Sequence, residues 1–162
     1  MFVREDDFIK FLRNPKHYLS ADLILREMVY EPNSHIDYPL VACDDIELHF
    51  NHSTSFAEAK YTWSKRKARV DWGNIFAMFY TENQVLVKEF CELPNEKKVV
   101  FAPFESEYEN VITIKYPQIK DLRKKPFWRV VDDTGMNRLL CYDIFDLLLY
   151  GKVTYIVEYL EQ

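Results

Sequence analysis

At 162 residues, 48% hydrophobic and 29% charged, the chain suffices for one compact domain with a real core and argues against two independent ones. A formal net charge of -5 and a pI near 5.4 argue against a general nucleic-acid binder, which would be basic. The three cysteines, Cys43, Cys91 and Cys141, follow no metal-ligand spacing and suit buried free thiols in a reducing compartment.

In chain order, the first element is a helix over "DFIKFLRN", capped by Asp6 or Asp7 and stopped by Pro15, with Phe8, Ile9, Phe11 and Leu12 as its apolar stripe. The segment "SADLILREMVY" starts at a Ser20 cap and carries Ile24, Leu25 and Met28 at helical spacing, which predicts a second helix. The loop "EPNSHIDYP" follows. "LVACDDIELHF" reads as extended, broken by a turn at Asp44. Ser55 and Glu58 have capping-box spacing and open a helix over "STSFAEAKYTWSKRKARVDWG", with Phe56, Ala59, Trp63 and Val70 toward the sheet.

"NIFAMFYT" is nearly continuous in apolar residues, as a buried parallel strand would be. Thr81 and Gln84 repeat the capping-box spacing ahead of the helix "ENQVLVKEFCEL", and "KKVVFAPF" is the next strand. "NVITIKY" and "WRVVDD" predict short edge strands, "MNRLLCYDIFDLLLY" a helix, and "KVTYIVEYL" either type. The alternation between Leu40 and Phe104 predicts a single α/β domain over residues 1–162: an open, mainly parallel sheet of βαβ units with flanking helices, in Rossmann-like layers.

Such sheets bind ligands at the carboxyl ends of their strands. Here that edge would carry Asn51, His52, Ser53 and Thr54, then Thr81, Glu82 and Asn83, then Pro103, Phe104 and Glu105. Helix N-termini at Ser55 and Thr81 would add free N–H groups suited to a phosphate or carboxylate. Within "DDIELHFNH", Asp45, Glu47 and His49 share one strand face opposite Ile46, Leu48 and Phe50, with His52 just beyond. A row of carboxylates and an imidazole suits general-base catalysis or a divalent transition metal; it equally suits the wet side of an ordinary strand.

Lys60, Lys65, Arg66, Lys67 and Arg69 place five cations in ten residues. They could attract a nucleotide-sugar, a phospholipid head group or an acidic polymer, or simply form a solvated helix face whose stems cover Trp63. The eleven Tyr and twelve Phe mainly imply a core of large rings, but exposed ones could stack on sugars. With glycine only at 73, 135 and 151, neither a GxGxxG turn nor a P-loop is possible, which disfavours dehydrogenase- or ATPase-type nucleotide cofactors. No GxSxG elbow occurs, and the residues assign neither a cofactor nor a metal. "REDD" directly after the start is unlike a signal peptide, and "DIFDLLLYG" is shorter than the roughly 20 residues that span a bilayer. These features predict a cytoplasmic protein with no transmembrane segment.

Four segments, "DDFIKFLRNPKHYL", "YPLVACDDIELHFNH", "EAKYTWSKRKARVDWGNIF" and "KEFCELPNEKKVVFAPFE", together resemble the bacterial family of unknown function DUF1919, whose members are often labelled exopolysaccharide biosynthesis proteins. The resemblance runs from about Asp6 to Gly151 and is most specific from Tyr38 to Phe76; Asp44, Asp45, Glu47, His49, Trp63, Arg66, Trp72 and Asn74 match its pattern. It implies an α/β fold and a setting in surface-glycan assembly, without a reaction. Relatives usually carry a further portion before the segment matching "DDFIKFL", which implies a shortened form or a fragment here. Two functions are then open, beside a third, metal-assisted hydrolysis at the Asp45–His49 row. One is glycosyl or acyl transfer to a sugar, with Asp45, Glu47, His49 or His52 as base and Asn51, Ser53, Thr54, Lys65, Arg66, Thr81 and Glu82 binding the activated sugar or glycan. The other is a non-catalytic module that docks on a glycosyltransferase or another glycan-assembly protein.

Overall fold

The computed structural model describes residues 1–32, 34–113, 146 and 149–150. The chain divides into two units, Met1–Ile75 and Phe76–Gln162. In the first, β1 (Phe2–Val3), α1 (Glu5–Arg13) and α2 (Pro15–Ser20) precede β2 (Leu23–Glu31), β3 (Ile36–Cys43), β4 (Ile46–His49) and α3 (Phe56–Lys67). The strands form an antiparallel sheet in the order β1-β4-β3-β2. In the second unit, β5 (Ala77–Tyr80), α4 (Gln84–Cys91), β6 (Lys98–Ala102) and β7 (Val111–Thr113) supply a three-stranded parallel sheet in sequence order.

The expected open, mainly parallel sheet is therefore corrected. Cys43 pairs with Ile46 across the two residues Asp44 and Asp45, and Asp44 takes a left-handed φ of 56° that closes the hairpin. β4 thus returns antiparallel along β3, and β5 belongs to the other sheet, so the two do not form a βαβ unit. Among the described residues, β5-α4-β6 is the βαβ unit, and β7 adds to it in parallel.

The segment expected as a second helix is β2, and a bulge explains why. Leu23, Leu25, Met28 and Tyr30 lie opposite Cys43, Val41, Pro39 and Asp37, all on one face, because the register shifts at Arg26. One inserted residue turns the strand's period of two into a spacing that imitates a helix. Pro15 is likewise not a stop but the first residue of α2, where its missing N–H costs nothing, and the Asn14 side chain accepts the His17 N–H. α1 begins at Glu5 with Arg4 at its cap position, so neither Asp6 nor Asp7 caps it.

α3 forms as expected at its start. Ser55 accepts the Glu58 N–H, while the Glu58 carboxylate accepts the Thr54 N–H rather than the Ser55 one. The helix ends at Lys67, short of the stretch to Gly73. α4 is capped by Asn83, whose side chain accepts the Val85 N–H; Thr81 uses its hydroxyl to accept the Asn83 N–H. Val41, Cys43, Ile46, Leu48 and Phe50 pack with Tyr18, Ala59 and Trp63 to form the core of the first unit. Phe79, Leu86, Val87, Phe90 and Val99 to Ala102 are buried in the second. "WRVVDD", "KVTYIVEYL" and most of "MNRLLCYDIFDLLLY" lie outside the described residues, within which Asp146, Leu149 and Tyr150 are helical.

Candidate functional site

Glu47 and His49 share one side of β4 and Asp45 precedes them in the turn; the structure gives each a different environment. Asp45 sits in the β3–β4 turn, where its carboxylate accepts the Tyr18 hydroxyl at 2.8 Å and lies 3.4 Å from the Lys10 ammonium. The Tyr18 hydrogen bond, with help from Lys10, holds the Asp45 carboxyl below its ordinary value. Burial first, then the neighbouring carboxylates, push the Tyr18 phenol up to about 12, so it stays a donor. Beside it, Asp44 meets His17 Nε2 at 2.5 Å. The turn is thereby clamped to α1 and α2.

Glu47 is half-buried, and its N–H donates to the Asp7 carboxylate at 2.9 Å. β1 stops at Val3 because α1 begins at Glu5, so Asp7 accepts an edge N–H that a longer β1 would have engaged. Asp7 also lies 3.4 Å from Lys10, which links it to Asp45.

His49 is only 6% exposed. Phe2 stacks on its ring, with centroids 4.1 Å apart, and Nδ1 lies 3.2 Å from the Tyr38 hydroxyl. Nε2 is buried with no hydrogen-bond partner among the described residues. Burial, reinforced by Arg4, lowers its affinity for a proton and keeps the imidazole neutral. Tyr38, Leu40 and Ala42 are buried on the same face. The β3–β4 centre is thus covered on both sides, and neither a solvated face nor an open catalytic row describes it.

The other expected site residues separate. His52 is exposed, Ser53 is buried, and the half-buried Asn51 has an Oδ1 with no partner among the described residues. Thr54 gives both its N–H and its hydroxyl to Glu58, so the start of α3 already holds a carboxylate of its own. Thr81, buried, and Glu82, exposed, belong to the second unit. There they share the carboxyl edge of the parallel sheet with Pro103, Phe104 and Glu105, whereas β4 and its loop belong to the other sheet. No three His, Cys, Asp or Glu side chains among the described residues form a metal-ligand group. The Cys43 thiol is buried, pushed up to about 11 by desolvation, and its Sγ donates to the Tyr18 carbonyl at 3.1 Å. It is no nucleophile.

Lys60, Lys65, Arg66, Lys67 and Arg69 are all exposed, and none has a carboxylate within 4.0 Å among the described residues. Lys60 lies over the Phe56 ring at 5.5 Å. Tyr61, 68% exposed, lies within the stretch, and Trp72, 44% exposed with Lys16 over its ring at 5.3 Å, follows it. The Lys16–Trp72 contact and the tethers from Asp7, Lys10, His17 and Tyr18 were not foreseeable from spacing, because each joins segments distant in the chain.

The sequence model of a domain of unknown function, DUF1919, matches residues 1–150. The chain belongs to the DUF1919 family. An uncharacterized protein of Haemophilus influenzae is 28% identical over 154 residues, an alignment spanning 90% of this chain and 68% of that relative. No helix among the described residues of this DUF1919 chain is long and apolar enough to cross a membrane.

Proposed function

We propose that this DUF1919 chain is a cytoplasmic, non-catalytic factor of surface-glycan assembly. It engages an anionic saccharide or sugar-phosphate group on the exposed stretch Lys60–Arg69. The observation that carries this reading is the five exposed cations without carboxylate partners among the described residues, on a chain of net charge -5. Cations in the last turn of α3 also complement the helix dipole, an effect of about 0.3–1 kcal/mol each that the first turn's Glu58 mirrors. That role accounts for Lys65, Arg66 and Lys67 but not for Lys60 or for Arg69 beyond the helix. The exposed rings of Tyr61 and Trp72 add flat apolar faces of the kind that pack on sugar rings.

Calorimetry with acidic and neutral oligosaccharides and with sugar nucleotides tests it. Binding should favour the anionic ligands, weaken as salt screens the exposed charges, and disappear when Lys65, Arg66 and Lys67 are all replaced by Gln. Equal binding of neutral sugars, or an unaltered triple variant, would sink the proposal.

A second reading keeps transfer chemistry on a sugar hydroxyl. Its candidate base is His49, whose Nε2 has no hydrogen-bond partner among the described residues, although Phe2 and the buried face of β3 cover the ring. The two readings part on Glu47→Ala and His49→Ala: glycan output survives in folded variants of a binding module and collapses in those of a transferase.

A further inference from the structure

The longest strand of the first unit is also its least covered. β2 ends the sheet, hydrogen-bonded to β3 alone among the described residues. Ile24 through Met28 are all exposed, so neither face of this stretch is covered among the described residues; Ile24 is 59% and Leu25 39% accessible. A bare apolar edge strand offers unpaired N–H and C=O groups to another chain.

The segment running into that edge is "DLILR", Asp22 to Arg26, and it is self-complementary. We infer that it pairs antiparallel with the same segment of a second copy, about a two-fold axis through Ile24. A two-fold axis normal to a sheet keeps every side chain on its own face. Ile24 then meets Ile24 of the second copy, and Leu23 meets Leu25 twice. Asp22 meets Arg26 twice, so both ends of the paired segment close with opposite charges.

The registers centred on Leu25 and on Val29 lack this match. Centred on Leu25, Ile24 would face Arg26 and Leu23 would face Glu27. Centred on Val29, Glu27 would face Glu31, a like-charge pair that destabilises directly opposed strands. The bulge at Arg26 confines the register to the N-terminal half of β2, because the alternation inverts beyond it. Self-complementarity is what selects a second copy over an unrelated strand.

Sedimentation velocity across a concentration series tests the inference on the whole chain. The wild type should self-associate reversibly. Asp22→Arg, which opposes Arg26 with Arg twice, should weaken association by about tenfold or more. The charge swap Asp22→Arg with Arg26→Asp should restore it. Amide hydrogen exchange on the wild type gives a reading independent of any variant: protection at residues 22–26 should rise with concentration. A chain that stays monomeric throughout, a charge swap that fails to rescue a folded single variant, or association without protection at residues 22–26 would each overturn it.

Discussion

The Tyr18 hydroxyl donates to the Asp45 carboxylate at 2.8 Å across 27 positions of sequence, fixing the β3–β4 turn to α2. The carboxyl that heads the alternating row is thus a structural anchor. Its pKa is lowered in the folded chain, so its stabilisation is complete above the ordinary 3.8 and fades as pH falls through the folded value. Tyr18→Phe keeps the ring and removes the donor. The variant should melt below the wild type at neutral pH, with the gap closing in acid; thermal melts over a pH series measure it.

His49 works in the same direction at higher pH. Burial lowers its folded pKa below the ordinary 6.5, so the unfolded chain binds the proton more readily. Stability should fall as pH drops through 6.5 and continue to fall until the folded value is reached. His49→Gln should flatten that limb while leaving the acid transition set by Asp45. Denaturant titrations at pH 5 to 8 would show it, and an unaltered slope would contradict the assignment.

Ser55→Ala removes the hydroxyl that accepts the Glu58 N–H at 3.2 Å. The expected loss is about 1 kcal/mol, with helix content otherwise retained. Glu58→Ala should act separately, because it strips the Thr54 N–H and hydroxyl of their acceptor. Melts of the two single variants and the double variant would resolve the two contributions.

Phe50 is 2% exposed and meets Trp63 edge to face, with centroids 6.3 Å apart. Phe50→Ala should cost about 3–5 kcal/mol, from lost burial and the cavity left behind. Phe50→Leu should recover much of this. Denaturant midpoints compare them.

α3 and α4 were legible from their polar starts and apolar spacing, and β5 and β6 as short apolar runs, although α3 ends at Lys67 and Asn83 rather than Thr81 caps α4. The pairing of β4 was not, since alternation marks a strand without naming its partner; the two-residue Asp44–Asp45 turn was the signal for an antiparallel return. β2 was lost to the bulge at Arg26. For the site, alternation put Glu47 and His49 on one face of β4, opposite Ala42 and Leu40, while Asp45 falls in the turn before the strand. It could not show that Tyr38, Leu40 and Ala42 bury that face around His49, because burial of both faces depends on what other segments pack there.

The left-handed Asp44 also bears on the order of folding. Hairpin closure there joins neighbours in the chain, whereas the anchors Lys10, His17 and Tyr18 must arrive over 35, 27 and 27 positions. Short loops close sooner than long ones, so the β3–β4 hairpin is expected to form early and α1 and α2 to dock on it later. Asp44→Gly, which removes the backbone penalty and the His17 contact together, should separate these events. Folding should keep its rate or gain speed, and unfolding should accelerate.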